Sequence, residues 1–352
     1  MKQKKISTII KKPLVSLCVL SILVVIFFNT SSIAQDIHFS QFNSSPQNLN
    51  AAQTGLFNGD WRFVGNYRSQ WVAVPVPYKT FSLSTDTRLK TGLASATPAL
   101  GLIVNNDNSG TSHLTTTQVY VSASIIGKLN KDSTHFIAVG LQPGVETKSF
   151  NVNELTFDNQ YDGDSYNASL PSGENFTNTR ITYFDMGGGL AYLYRKNERM
   201  KVNIGLSALH LTQPAQKFFA NTTDKLSTKI ALSGLAEFPV STNIDVVPTF
   251  LYQHQGKYNE TVAGAFGKYY LTPVNGMSTA ISLGAFYRIK DAFIIAAGME
   301  YMNFNVGVSY DVNTSKLIAA TNRRGGFEIS IIYIFKKIVP FVAKKRLCPI
   351  YM

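Results

Sequence analysis

Beyond residue 35 the chain repeats one pattern, short segments in which apolar and polar residues alternate strictly. In Phe304-Asn305-Val306-Gly307-Val308-Ser309-Tyr310 the even positions are apolar and the odd ones small or polar, and Val202 to Ser207 and Val119 to Ile125 read the same way. Period-two alternation gives each face of a strand one kind of residue. With no helical domain between such segments, the economical fold is all-β: a transmembrane antiparallel β-barrel, with lipid outside and water or packed polar groups inside. A mean hydropathy near zero with no second long apolar run excludes a helical membrane protein and fits strands that show lipid every other residue.

The first 34 residues say where such a barrel would sit. Lys2, Lys4, Lys5, Lys11 and Lys12 precede an apolar run from Pro13 to Phe28, and Ser32-Ile33-Ala34 offers the small residues a signal peptidase needs. The pattern predicts a cleaved secretory signal over 1–34 and a mature start at Gln35 or Asp36. A spanning helix needs roughly 20 apolar residues, and this run is shorter and broken by Ser16 and Ser21. Cys18 lies in mid-run, away from the cleavage point, which argues against a lipid-anchored N-terminus. Removal of the leader leaves Cys348 alone of the 2 cysteines, so no internal disulfide forms. It also takes five lysines and no acid from a net charge of +12, leaving about +7. Lys336, Lys337, Lys344, Lys345 and Arg346 supply much of the rest, so the basic balance belongs to the tail and does not describe a nucleic-acid-binding face.

Between Trp61 and Phe335 the alternation marks about 14 strands, an even number, as single-chain outer-membrane barrels require. The series opens with 61–72, 79–88, 99–105 and 113–128 and closes with 292–301, 303–311 and 326–335. Polar turns such as Asn130-Lys131-Asp132-Ser133 and Lys290-Asp291 separate them. One connection, about Phe150 to Arg180, is far longer than the others and rich in Asn, Asp, Gly and Ser; loops of that length are usually functional or disordered. Residues 35–60 show neither period and are expected to plug the barrel or lie beneath it in the periplasm. The organisation expected is therefore a signal (1–34), an N-terminal periplasmic or plug segment (35–60), the barrel (61–335) and a short basic periplasmic tail (336–352).

Alternation also sorts the charges. Trp61, Phe63, Gly65 and Tyr67 facing out place Arg62, Asn66, Arg68 and Gln70 inside; Phe81 and Leu83 facing out place Ser82, Ser84, Asp86 and Arg88 inside. On the last strand Phe327, Ile329, Ile331, Tyr333 and Phe335 face lipid and Glu328 faces in. Closure pairs the first strand with the last, so Arg62, Asn66, Arg68, Asp86, Arg88 and Glu328 are expected to form one polar network at the seam. It would hold the seam or plug, or take part in gating or partner docking.

Catalytic and metal chemistry leave no mark at this level. None of His38, His113, His135, His210 and His254 has a second ligand at metal spacing, and no nucleophile elbow, phosphate loop or dinucleotide fingerprint occurs. Gly187-Gly188-Gly189 falls inside a strand pattern, which points to tight packing or a bend. An outer-membrane lipid hydrolase could draw on Ser207 and His210, but their odd spacing on one strand is expected to put them on opposite faces. No enzyme activity, cofactor or catalytic residue is expected. A passive channel for small solutes is the alternative consistent with the barrel itself.

Several ordered blocks carry a family likeness. They are Gln35-Asp36-Ile37-His38-Phe39-Ser40-Gln41-Phe42 with Ser45-Pro46 and Leu49-Asn50, then Asn66-Tyr67-Arg68-Ser69-Gln70-Trp71 with Tyr78-Lys79-Thr80 and Ser84-Thr85-Asp86. Leu155 to Tyr161, Ser207 to Leu211, Ser309 to Leu317 and Gly325 to Ser330 follow. Together they resemble the PorP/SprF family of type IX secretion system outer-membrane proteins over essentially the whole mature chain. Ala51 stands where the family usually has proline, and the Cys348-Pro349-Ile350-Tyr351-Met352 end matches the family's ending only in part. The resemblance implies a barrel in the cell outer membrane, embedded in its lipid. It would bind type IX secretion components and a large secreted surface protein, such as a gliding adhesin, during export or surface anchoring. Physically, the basic tail continues past the aromatic residue on which such barrels commonly end, here Phe335, so Lys336, Lys337, Lys344, Lys345 and Arg346 are candidates for periplasmic docking.

Overall fold

Fourteen alternating segments become fourteen strands in the computed structural model, which describes residues 36–70, 78–91, 95–219, 224–272, 279–315 and 322–337. The expected signal and the tail beyond residue 337, with Lys344, Lys345 and Arg346, lie outside the described residues. The chain divides at Asp36 into two units, and the barrel belongs to the second, Ile37–Met352. In chain order the strands are β1 (Trp61–Gln70), β2 (Tyr78–Arg88), β3 (Ala96–Ser109), β4 (Leu114–Lys128), β5 (His135–Ser149), β6 (Arg180–Asn197) and β7 (Met200–Leu209), followed by β8 (Lys229–Pro239), β9 (Ile244–Gln255), β10 (Tyr258–Thr272), β11 (Thr279–Arg288), β12 (Ala292–Tyr301), β13 (Phe304–Asn313) and β14 (Arg324–Phe335). Each pairs antiparallel with its sequence neighbours, and β1 closes on β14 with Trp61 opposite Phe335 and Arg68 opposite Glu328. Closure leaves no unpaired sheet edge, the condition for crossing a bilayer with strands. No described helix is long and apolar enough to cross a membrane.

Burial follows the pleat. Trp61, Phe63 and Tyr67 are exposed on the outer wall while Arg62, Asn66 and Arg68 between them are buried. Trp61 stacks on Phe63 (ring centroids 6.2 Å apart), and Tyr333 lies against both Phe63 and Phe304 near the end of the barrel where β1 starts. Towards the other end Tyr67, Phe81, Tyr310 and Phe327 are exposed on adjoining strands. Leu83, Val306, Val308 and Ile331 fill the belt between them. Two aromatic girdles around an aliphatic belt are the outer surface of a membrane barrel. The end at which β1 starts and β14 stops is called here the turn end, and the opposite one, which carries the long connection between β5 and β6, the loop end.

The third strand is longer than the expected 99–105. Its Asn106-Asp107-Asn108 run, which reads as a turn, stays extended because Asn106 and Asn108 donate across to Thr117 and Thr115 on β4 (3.0 and 3.1 Å). The strands β3 to β6 run 14, 15, 15 and 18 residues, beyond the 9–11 or so that span a bilayer.

Residues 37–57 lie inside the barrel. Of the two placements left open for the N-terminal segment, the lumen is the observed one. The segment enters at the loop end, where Lys229 donates to the carbonyl of Ile37. It descends through a short turn at Phe42–Ser44, one helical turn at Pro46–Leu49 opened by proline, and a second short turn at Ala51–Gln53. It leaves at the turn end, where the Asp60 amide bonds Phe335. The wall it meets is not uniformly polar. Phe42 packs with Ala231, Leu251, Val262, Phe286 and Ile294, and Ala52 and Leu56 pack with Ala99, Ile126, Phe136 and Leu193. The inner face is apolar where the plug, and not water, covers it.

Candidate functional site

A segment with little regular structure must satisfy its backbone groups on the wall, and the inward polar residues of the strands do this. On β1 and β2, Arg62 lies directly opposite Asp86. Arg62 donates from Nε and Nη2 to the two Asp86 oxygens (2.9 and 2.7 Å), a bidentate pair. Each partner also holds the plug: Arg62 donates to the Gln53 carbonyl (2.9 Å), and Asp86 accepts from the Gly55 amide (2.6 Å). Gly55 has a φ of +72°, a left-handed conformation that suits glycine and aims this amide at the carboxylate. Arg88 donates to the Gly59 carbonyl and not to Asp86.

A second cluster forms towards the loop end. Glu328 on β14 accepts from the amides of Ser40 and Gln41 (2.7 and 2.9 Å), so one carboxylate caps two consecutive plug N–H groups. Arg68 lies 3.8 Å from Glu328 and 3.1 Å from Asp311, and donates to the His38 carbonyl (2.9 Å). Arg288 bridges Asp311 (3.1 Å) and the Ser40 hydroxyl (2.7 Å), and Ser40 donates to Asp311 (2.8 Å). The expected single network is thus two clusters, one towards each end of the plug. Asn66 sits between them and donates to the Ser44 carbonyl (3.2 Å).

Asp311 and Arg288 were not among the sequence candidates. A register shift between Tyr310 and Val312 interrupts the β13–β14 pairing at Asp311, and Arg288 reaches it from β11, strands with no signal linking them in sequence. Mid-plug contacts were equally hidden. Asn50 caps the turn at Ala51–Gln53 through the Ala52 amide and donates to the carbonyls of Leu190 and Leu206 on β6 and β7 (2.9 and 3.2 Å). Gly189 makes room for it: a Cβ there would lie 2.8 Å from Asn50 Cγ. This is the packing role expected of the Gly187–Gly189 run.

One expectation about histidine is overturned. His210 follows the end of β7 with a φ of 57°, so its ring turns inward and is buried together with Ser207, not on the opposite face. Ser207 donates to the plug carbonyl of Leu49 (2.7 Å), while the His210 ring bonds Asp185 (2.6 Å). Folding also assembles what sequence spacing did not show, because Glu146 on β5, Asp185 on β6 and His210 place ligand-type atoms within 4.8 Å of one another. Their carboxylates are already engaged by Gln118, Tyr183 and Lys148 at Glu146 and by Tyr120 and Thr212 at Asp185. A further ladder, Lys201–Glu237–Lys268–Glu300, links four strands at 2.6, 3.1 and 2.7 Å.

The two ends differ. At the loop end the 150–179 connection is ordered by rings: Phe176 meets Phe150, Phe157 and Phe219 at 5.1, 6.2 and 4.8 Å, and Phe150 meets Phe218 at 5.2 Å. At the turn end Lys336 and Lys337 are exposed, and the Lys337 amide donates to Asp60 (2.9 Å). That bond, with Lys90 beside it, holds the Asp60 carboxyl below its usual range.

Solved barrels resemble this one in outline. The toluene transporter TbuX of Ralstonia pickettii is 10% identical with a TM-score of 0.46, covering 83% of this chain and 94% of its own. The CymD monoaromatic hydrocarbon channel is 12% identical at 0.48 over 84% and 93%, and the translocator domain of the autotransporter NalP from Neisseria meningitidis is 12% identical at 0.33 over 84% and 96%. No curated protein sequence matches the chain. The family described as "Type IX secretion system membrane protein PorP/SprF" matches residues 31–333, a span that holds the plug, both of its charged anchors and nearly all of the closed barrel. An outer-membrane barrel with that match over most of its length is an outer-membrane component of type IX secretion, and the chain belongs to the PorP/SprF family.

Proposed function

We propose that the protein is a partner-binding component of its secretion system, acting in the export or surface anchoring of a large surface protein such as a gliding adhesin, with no catalytic step of its own. The observation that carries this reading is the occupied lumen. Residues 37–57 run through it from the loop end to the turn end and are bonded to the wall at Asp86, Glu328 and Asp311. A segment tied into the lumen in this way stands in the path of a passenger polypeptide, so on this reading the work falls to the two ends.

The two ends suit two kinds of partner. Outer-membrane barrels carry short turns in the periplasm and longer loops outside. On that rule the ordered 150–179 connection faces the exported protein and Lys336 and Lys337 face the periplasmic machinery, while Lys344, Lys345 and Arg346, outside the described residues, are candidates for the same role from sequence alone. The test is affinity purification of the tagged protein from gently solubilised outer membranes, followed by mass spectrometry. Recovery of secretion subunits or of one very large surface protein supports the reading, and its loss on deletion of 336–352 would assign the tail its share. Recovery of a folded barrel alone, at good yield, would favour the channel reading instead.

A further inference from the structure

A cleft at the turn end joins an apolar floor to a cationic rim. Leu56 of the plug and Ile126, Phe136 and Leu193 of the wall form the floor, and Arg88, Lys128 and Arg195 stand around it. The cleft encloses about 380 Å³, counting the solvent space at its mouth. The floor belongs to the dry cluster that packs the plug against β4, β5 and β6. The rim is built from strand ends: Arg88 closes β2, Lys128 closes β4 and Arg195 is near the end of β6.

Among the described residues none of these three cations pairs with a carboxylate. Asp86 is engaged with Arg62, Asp60 with Lys90 and the Lys337 amide, and Glu198 accepts from Asn58. Arg88 is tied to the Gly59 carbonyl and lies 5.7 Å from the Phe57 ring centroid, while Arg195 lies 5.3 Å from that of Phe136. Both guanidinium groups are therefore set at the border of the apolar floor, with donors left over for an anion. Elsewhere in this lumen buried charge comes in opposed sets, as at Arg62–Asp86 and Arg68–Asp311–Glu328. Two partly buried guanidinium groups and an exposed lysine, none of them in an ion pair with a carboxylate among the described residues, stand beside an apolar surface, an arrangement that an anion carrying its own apolar chain would complete.

We propose that this cleft binds an aliphatic carboxylate, with its head among Arg88, Lys128 and Arg195 and its chain on Leu56, Phe136 and Leu193. The site is independent of the secretion reading and survives or fails without it. Its position against Leu56 makes the bound chain a contact of the plug segment.

Octanoate is the probe, titrated calorimetrically into the full chain in nanodiscs of zwitterionic lipid, with acetate, octanamide and empty discs as comparisons. Saturable octanoate binding absent from empty discs is expected, at least about tenfold tighter than acetate, which lacks the chain, or octanamide, which lacks the charge. Lys128→Gln with Arg195→Gln should weaken it by about tenfold or more while the barrel keeps its heat-modifiable band. Lys128→Gln alone, at an exposed position, should weaken it by less and serves if the double variant does not fold. Octanoate titrating as it does into empty discs, or binding wild type and variants equally, overturns the proposal.

Discussion

Asp86 accepts two bonds from Arg62 and one from the Gly55 amide, so a single carboxylate joins two strands to the plug. Asp86→Ala leaves the Arg62 guanidinium buried and uncompensated, a loss of about 3–5 kcal/mol. The expected outcome is a lower temperature for conversion of the folded band to the unfolded one in heat-modifiability gels, with a smaller fall for Asp86→Asn. Gly140 tests the plug from the wall side. A Cβ there would sit 2.5 Å from the carbonyl oxygen of Ala51 and the amide nitrogen of Ala52, backbone atoms with no side-chain freedom to yield. Gly140→Val should therefore push this turn away from β5 and raise bilayer conductance while the barrel still closes, whereas a silent wall glycine would leave the conductance at the wild-type level. Asp60 has a pH-dependent share in the start of the tail. Its pKa is depressed, chiefly by the Lys337 amide, so the bond is present above the usual carboxylate range and is lost as pH falls through the lowered value. Faster exchange of the Lys337 amide in Asp60→Ala, measured by hydrogen exchange at neutral pH, is the check.

At the scale of elements, alternation made the strands legible because a barrel strand meets two different media on its two faces. Fourteen segments, their order and the inward set Arg62, Asn66, Arg68, Asp86, Arg88 and Glu328 could be read without coordinates. What joins them could not. Asp311 meets Arg68 at a register shift between β13 and β14, and His210 is turned inward by one left-handed residue that period-two reasoning does not allow for. The plug has no period because its residues answer to many different strands, and its two apolar patches pack on apolar wall positions. The long connection 150–179 reads from its length and its Asn, Asp and Gly as functional or disordered, and in the structure three of its phenylalanines build a small aromatic core with Phe218 and Phe219. Phe176→Ala removes three ring contacts, each worth about 0.5–1.5 kcal/mol. Protease nicking within 150–179 should then quicken several-fold, with the barrel core unchanged.

Taken whole, the molecule is an outer-membrane barrel whose own N-terminal segment lies in its lumen. Aromatic girdles ring its outer wall, the charged clusters at Arg62–Asp86 and Arg68–Asp311–Glu328 fix the plug, and on the proposed reading partners meet the ordered loop at one end and the basic residues that follow β14 at the other. Deleting residues 336–352 should cost partner recovery without altering the fold. The central claim, a sealed lumen, is tested most directly by single-channel recording in planar bilayers, comparing the intact protein with a form lacking residues 37–57. The account predicts no steady current from the intact barrel and stable open steps from the plugless form. Steady conductance of the intact protein, equal to that of the plugless one, would contradict it.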